Sequence, residues 1–480
     1  MSFRKAVLWS IGGQTASYFA LFIGSVIVAR LLTPHEMGVF AVALAAIGIL
    51  TTFVAFNVGA FIVREKELQQ STIDTAFTVQ AMLALVLGAA IALSSIFTRH
   101  VLHSPDVARV LLPLALTPVI GILEFRPSTM LEREMNFRLL SIIQTSRGLI
   151  TTGCVVILAY AHQSYMSLAY GNLIGAVVSA IWTNMAAPKH ISFRMSLKGA
   201  RQITLFGFRM MSIRGLANLS ARLSDIILGQ FLGLSALGLY SRASSISSLV
   251  FENVYGAITR VVFVRMSEDF RTTGRVRDTF IRSYQMILAL LWPIQIGLAI
   301  LSGPFIYHLY GPRWVAASLP LSLLMIAQTI VLSFGMNWEL FVLKDETARQ
   351  TRFEFVKSVA GLAFFSIGCF FNIAAAATGR IAEAIFGFAL YRPHMNRLAE
   401  VEAGCFARIF AQSTALTIAA TGPALALMVF VDWSYNIPVA LLVMAIGSGM
   451  LLWLLILAAL KHPLLAELQS VAGKLLPRAI

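Results

Sequence analysis

Residues 204–233 read TLFGFRMMSIRGLANLSARLSDIILGQFLG, a run long enough to cross a bilayer that nevertheless carries Arg209, Arg214, Arg222 and Asp225. An ionised side chain at the centre of a spanning helix costs about 2.5–3.5 kcal/mol on insertion scales. If Arg214, Arg222 and Asp225 all lie deep, the helix bears about 8–10 kcal/mol, which a lipid-facing helix cannot carry alone. Something polar must face them. At about 100° per residue, Arg214, Asn218, Arg222 and Asp225 fall within an arc of about 80°, so one face of this helix is a polar stripe. In the next run, 235–263, Arg242, Asn253 and Arg260 align in the same way, with Glu252 beside them and Ser244, Ser245, Ser247 and Ser248 between. Arg147, with Gln144, stands in an earlier run.

Guanidinium groups around a hydrated gap select anions, above all phosphates, which they grip through two parallel hydrogen bonds. A carrier of lipophilic cations would place carboxylates there. Some of these residues have plainer readings. Arg209, Arg260 and Arg282 are near enough to a membrane boundary to extend their heads into water, and the plainer reading of Asp225 is a structural pair that neutralises Arg222 or Arg214. Arg242 lies about two turns in from the opposite face and is open to both readings. Asp225 and Glu252 are the candidates for coupling to a proton or sodium gradient, and no other cofactor is implied.

The elements that must position these groups follow from composition. The chain has 480 residues, 58% hydrophobic and 12% charged, against roughly 25% charged in a soluble domain. Apolar runs of about 20 residues, enough to cross roughly 30 Å of hydrocarbon, recur at 7–29, 37–63, 76–97, 108–124, 139–160, 164–186, 203–232, 235–263, 280–301, 316–335, 353–375, 378–391, 406–431 and 437–460. The pattern predicts an all-α membrane protein with about fourteen transmembrane helices. The twelfth run is the weakest, being short and containing Arg380 and Glu383, and FFNIAAAATG at 370–379 reads as a turn region. The first run is too long for a signal peptide and lacks a cleavage pattern, so it reads as a retained helix.

The net charge of +15 does not point to nucleic acid, because about two dozen of the 37 Lys and Arg residues fall on alternate connections and at the two ends. The opposite side holds Arg30, Arg99, Arg109, Arg313 and Arg380. By the positive-inside rule both termini are cytoplasmic, and the surplus charge faces anionic headgroups. Cys154, Cys369 and Cys405 offer no disulfide framework. His100 and His103 read as solvated loop residues, and no metal-ligand spacing, nucleophile elbow or phosphate-cradling glycine loop is present. The connections near 98–108 and 302–315 are too short for a catalytic unit, which argues against an enzyme.

The chain repeats itself. ARLLTPHEMGVFAVA at 29–43 is echoed by GQFLGLSALGLYSRA at 229–243, DTAFTVQAML at 74–83 by DTFIRSYQMI at 278–287, and LPLAL at 112–116 by LPLSL at 319–323. Six runs separate each pair, an even number, so the copies cross in one direction and form a parallel repeat about an axis along the membrane normal. The expected organisation is an N-terminal six-helix bundle over 1–186, a C-terminal six-helix bundle over 202–392, an additional helix pair over 406–462 and a cytoplasmic tail over 463–480. Two such bundles suit alternating access.

Taken together these residues resemble the polysaccharide flippases of the Wzx type, in the superfamily that also holds MATE exporters and the lipid II flippase. The likeness rests on Trp9-Ser10, Ala29 to Pro34, Gly38-Val39-Phe40, LEREMNF at 131–137, Phe206-Gly207, LGQFLGLSALGLYSRA at 228–243, and Gly311 and Trp314 followed by Ala316-Ala317. Two departures stand at Val264, where a proline is usual, and in LKDETA at 343–348, where small residues and glycine are expected. The resemblance implies transfer of an undecaprenyl-pyrophosphate-linked oligosaccharide from the cytoplasmic to the periplasmic leaflet of a bacterial inner membrane, for exopolysaccharide, capsule or O-antigen synthesis. Arg147, Arg214, Arg222 and Arg242 would hold the anionic head, Asn218 and Asn253 sugar or phosphate. Membrane lipids, a glycan polymerase and a chain-length regulator are the implied partners. A MATE-like cation or drug antiporter and a non-transporting scaffold for glycan assembly are the alternatives.

Overall fold

A computed structural model describes residues 21–54, 58–65, 68–101 and 104–475. The beginning of the first run, with Trp9 and Ser10, and the last residues of the tail lie outside them. The regular elements among the described residues are all helical, with no strand. The first helices are α1 (Leu21–Leu31), α2 (Pro34–Val54), α3 (Val58–Arg64), α4 (Gln70–Val101), α5 (Pro105–Arg133), α6 (Phe137–Tyr160) and α7 (Met166–Ala186). They are followed by α8 (Ala200–Leu232), α9 (Leu234–Val250), α10 (Gly256–Thr273), α11 (Arg277–Ile300), α12 (Ser302–Tyr310) and α13 (Ser318–Leu332). The chain closes with α14 (Asn337–Leu343), α15 (Thr347–Cys369), α16 (Ile373–Ala399), α17 (Ala403–Phe430), α18 (Val439–Ala459) and α19 (Pro463–Leu475).

Local chemistry sets the ends. Thr33 and Glu36 form a capping box at the start of α2: the Thr33 amide donates to the Glu36 carboxylate at 2.7 Å and the Glu36 amide to Thr33 Oγ1 at 3.3 Å, with Pro34 at the first helical position. The corresponding break in the second copy is Gly233, whose φ of 86° only glycine adopts without strain. Asn372 accepts from the Ala375 amide at 2.9 Å and starts α16. Prolines inside α5, α11, α16 and α17 are tolerated in membrane helices, where neighbours re-satisfy the freed backbone groups.

Among the described residues ten helical segments are long and apolar enough to cross a membrane: α2, α4, α5, α6, α7, α11, the Pro312–Leu343 segment containing α13, α16, α17 and α18. The chain is a multi-pass all-α membrane protein. Its outward surface agrees: Val443, Met444, Met450, Leu451 and Leu455 of α18 are exposed, a patch that belongs in hydrocarbon rather than water. Polar residues hold α8, α9 with α10, and α15 below that apolar threshold.

Three local expectations change. The twelfth helix is not short: α16 begins at Ile373 and runs to Ala399, because Asn372 caps it and alanines carry it, so the expected turn shrinks to 370–372. The expected loop at 302–315 contains α12 and a 3₁₀ turn, Pro312–Ala317, with Trp314 fully buried. The run at 235–263 is not one straight helix, since Phe251–Tyr255 forms a wide π turn between α9 and α10.

Contacts divide the chain into two compact units, the first ending at Gly238 and the second beginning at Leu239. In the first unit α8 packs along α2, and α5 packs on α4 and α7. The second unit is built on a buried aromatic group, Phe280, Tyr284, Phe334, Phe341, Tyr391 and Phe406. Glycine allows close approach there: a Cβ at Gly379 would stand 2.6 Å from the Phe364 carbonyl oxygen, the small-residue contact typical of membrane helices.

Candidate arginine-bearing site

The polar stripe of α8 is described at its C-terminal half. Arg222 Nη1 lies 3.7 Å from Asp225 Oδ2, one helical turn away, and the two side chains are 42% and 23% exposed. Opposite stands Gly48 of α2, where an added Cβ would come within 2.6 Å of Arg222 Nε and 2.8 Å of Cδ. The guanidinium stem therefore lies across a gap that glycine leaves in α2. A contact of 3.7 Å with one carboxylate oxygen is a loose pairing, and a guanidinium has five N–H donors. Arg222 is thus neither sealed against an acid nor buried.

Arg147 of α6 has a similar setting. Its Nη1 is 3.3 Å from Glu124 Oε1 of α5, and its side chain is 40% exposed. Ser179 of α7 donates to the other oxygen, Glu124 Oε2, at 2.7 Å. Glu124 thus ties α5, α6 and α7 together and orients Arg147. Sequence reasoning passed over Glu124, because its partners lie 23 and 55 positions away and no helical spacing links them.

Arg242, which the sequence leaves open to both readings, is enclosed in this structure. It is 8% exposed, with its guanidinium carbon 5.1 Å from the Tyr310 ring centroid and 5.6 Å from that of Trp314. Both rings come from the α12 segment that the sequence reads as a loop. A line drawn from Arg242 to Arg260 on an ideal helix also changes, since a π turn acts like one inserted residue and rotates the downstream helix by roughly 100°. Arg260 is exposed, its Nε donating to the Gly256 carbonyl at 2.9 Å. The side chains of Arg209, Arg214, Asn218, Glu252 and Asn253 lie outside the described residues, as do those of His100 and His103; Glu252 and Asn253 have their backbone in the π turn.

Arg380 and Glu383, the charged pair expected to weaken the twelfth helix, neutralise one another inside it. Arg380 Nη1 is 2.8 Å from Glu383 Oε2, and its guanidinium lies 4.6 Å from the Phe365 ring centroid. The unusual LKDETA stretch is held by charge: Lys344 reaches Glu400 at 3.1 Å, and Glu346 receives Arg397 at 2.7 Å and also Arg349. Among the described residues no three His, Cys, Asp or Glu side chains are grouped to hold a metal ion.

An arginine-bearing polar helix within a multi-pass bundle, repeated phrases and all, can be set against known proteins. Residues 27–319 match the family described as polysaccharide biosynthesis protein, which is more than half of the chain. The chain belongs to this family. Two relatives are the succinoglycan biosynthesis transport protein ExoT of Rhizobium meliloti (strain 1021), 24% identical over 68% of this chain and 66% of that protein, and the lipopolysaccharide biosynthesis protein WzxC of Escherichia coli (strain K12), 23% identical over 60% of this chain and 59% of that protein. The matched stretch thus spans just under two thirds of the curated relatives' length. In fold this family member is similar to the lipid II flippase MurJ in an inward closed conformation, with a TM-score of 0.71 and 15% identity over 95% of this chain and 99% of the other. An inward-facing multidrug resistance MATE family transporter of the MOP superfamily is also similar, with a TM-score of 0.56 and 15% identity over 80% of this chain and 96% of the other. These likenesses establish a MurJ- and MATE-like architecture.

Proposed function

We propose that this chain is a flippase, not an enzyme, which moves undecaprenyl-pyrophosphate-linked oligosaccharide units from the cytoplasmic to the periplasmic leaflet of a bacterial inner membrane by alternating access. The single observation that carries the reading is the exposure of the Arg222 and Arg147 guanidinium groups on helices of a membrane-spanning bundle. Exposed arginine in such a position needs a polar counterpart, and a pyrophosphate supplies one. The names of the relatives, which concern transport and synthesis of surface polysaccharides, support the same substrate class.

The physics of the substrate fits. Its isoprenoid tail is favoured in hydrocarbon by about 0.8 kcal/mol per buried methylene and need not leave the bilayer. The head would lose its hydration there, at several kcal/mol for each unsatisfied polar group. Arg147, Arg214 and Arg222 replace that hydration with charge-assisted hydrogen bonds, and Asn218 and Asn253 bond sugar or phosphate. Arg242 packs against Tyr310 and Trp314 and would hold the head once released from those rings. Asp225 and Glu252 are the positions at which a proton or sodium ion would couple.

The proposal includes fourteen crossings, with α1, α8, the α9–α10 pair and α15 added to the ten apolar segments. It keeps the repeat-based division into 1–186, 202–392, 406–462 and 463–480, with both termini cytoplasmic, where most connecting basic residues then fall. A glycan polymerase and chain-length regulator would take up the product. The test is deletion of the gene, followed by measurement of the leaflet in which lipid-linked oligosaccharide accumulates. Accumulation on the cytoplasmic side is expected. Normal surface glycan in cells newly sensitive to cationic drugs would overturn the reading in favour of an antiporter.

A further inference from the structure

The connection between α7 and α8 opens with a 3₁₀ turn, Pro188–His190, and continues as an extended strap whose two sides differ. One side is pinned to the first unit. Thr75 Oγ1 of α4 donates to the Lys198 carbonyl at 2.9 Å, the Ser196 amide donates to Thr78 Oγ1 at 3.0 Å, and Arg126 Nη1 of α5 donates to the Ser192 carbonyl at 3.3 Å. Arg126 is itself held at 2.8 Å from Asp74, with both side chains buried. The strap is therefore anchored to a rigid, buried ion pair. On the other side Ile191, Phe193, Met195 and Leu197 are exposed by 41%, 56%, 71% and 64%, although Phe193 also sets an edge against Phe77, 6.0 Å between centroids. Apolar residues at every second position all turn outward, as an extended backbone requires.

Two observations identify what covers that face. The first is charge: Lys189, Arg194, Lys198 and Arg201 lie in and around the strap, and no acidic residue occurs between Ala187 and Arg201. The second is depth. Helix α4 has 32 residues, about 48 Å at 1.5 Å each, against roughly 30 Å of hydrocarbon, so about a dozen residues project from the membrane. Its apolar run begins near residue 76, where Thr75 and Thr78 hold the strap. The strap thus meets α4 at the boundary between acyl chains and headgroups.

We propose that residues 189–201 form an interfacial strap that binds anionic phospholipid: Ile191, Phe193, Met195 and Leu197 enter the acyl boundary while the four basic side chains engage headgroups of the same leaflet. This is the division of labour of an interfacial amphipathic segment, achieved here with a period of two. It does not depend on the transport reading.

The test places nitroxide labels at single cysteines 193, 195 and 197 of the full-length chain, with Cys154, Cys369 and Cys405 replaced, in vesicles of phosphatidylethanolamine and phosphatidylglycerol or of phosphatidylcholine alone. In the anionic vesicles the labels should be accessible to oxygen and at least fivefold less accessible to a water-soluble nickel chelate than a label in the exposed α16–α17 connection. Replacing all four basic residues by Gln should move the labels outward in anionic vesicles and change nothing in phosphatidylcholine. Labels open to the nickel chelate in both vesicles would overturn the proposal. Labels shielded from both oxygen and nickel would also overturn it, because they would mark a face covered by protein.

Discussion

Gly38 and Gly238, the same letter of the repeated phrase, lie backbone against backbone. A Cβ on Gly38 would collide with the Leu234 carbonyl oxygen and stand 3.2 Å from the Gly238 nitrogen; one on Gly238 would collide with the Pro34 carbonyl oxygen and stand 3.0 Å from the Gly38 nitrogen. Pro34 and Leu234 are themselves equivalent positions of the two phrases. The contact is self-complementary in the sense of a two-fold interface, in which each residue meets its own counterpart.

Alanine at either glycine should therefore cost about 1–3 kcal/mol through overpacking. The double substitution should cost less than the sum, because both clashes occupy one crossing and a single separation relieves them. Thermal unfolding of the detergent-solubilised chain measures this. Gly121 and Gly422, which have open space around the position of a Cβ, are the controls, and alanine there should stabilise by up to about 1 kcal/mol.

Arg222→Ala and Arg147→Ala should each lower flipping of a lipid-linked oligosaccharide in proteoliposomes by about tenfold to a hundredfold, since a charge-assisted hydrogen bond is worth about 1.5–3 kcal/mol. Their unfolding midpoints should shift little, because both side chains are part exposed. Lysine should restore only part of the activity, keeping the charge but losing the planar fork. Equal activity of Arg222→Ala and the natural chain would exclude a headgroup role for that residue.

Arg242 should behave in the opposite way. Arg242→Met removes a guanidinium packed between Tyr310 and Trp314 and should cost stability, about 1–2 kcal/mol for desolvated cation–π contacts, with a smaller effect on transport than Arg222→Ala. Comparing the unfolding midpoint with the flipping rate of the two variants separates support from substrate contact.

Breaking the buried pair of Asp74 and Arg126 should be severe. Asp74→Asn or Arg126→Met leaves one charge uncompensated and should cost about 3–5 kcal/mol, whereas the double change to Leu and Met should recover most of that loss. Denaturant titration of the solubilised chain reads all three. Arg126→Met and the double variant, which both lose the donor to the Ser192 carbonyl, should also speed hydrogen exchange at the Ser196 amide.

The junction of α18 and α19 should respond to acid. His462 is buried, and burial pulls its pKa below the usual imidazole value of 6.5; its Nδ1 accepts from the Leu464 amide at 3.3 Å. A depressed pKa means that the neutral form is favoured in the folded state. The stabilisation is thus complete above about pH 6.5 and lost as the pH falls through the lower, folded value. Hydrogen exchange at residues 463–470, corrected for its intrinsic rate, should be faster at pH 5 than at pH 7.5, and His462→Asn should reduce the difference.

The membrane class, the helices and the presence of costly arginines in α8 were legible in the linear order of residues, because hydrophobic run length and helical period are properties of neighbours in the chain. The capping box at Thr33 and Glu36 and the glycine break at 233 are local in the same sense. The surroundings of each arginine are not local. Glu124 beside Arg147, Gly48 beside Arg222, and Tyr310 with Trp314 around Arg242 come from other helices, and which face a side chain meets depends on helix packing. One wide turn at 251–255 is enough to displace Arg260 from a line drawn on an ideal helix. Residue types and spacing determined that this chain must hold charge inside a membrane. Tertiary packing decided which of those charges stay exposed and which are enclosed by rings, because side-chain burial is settled between helices and not along them.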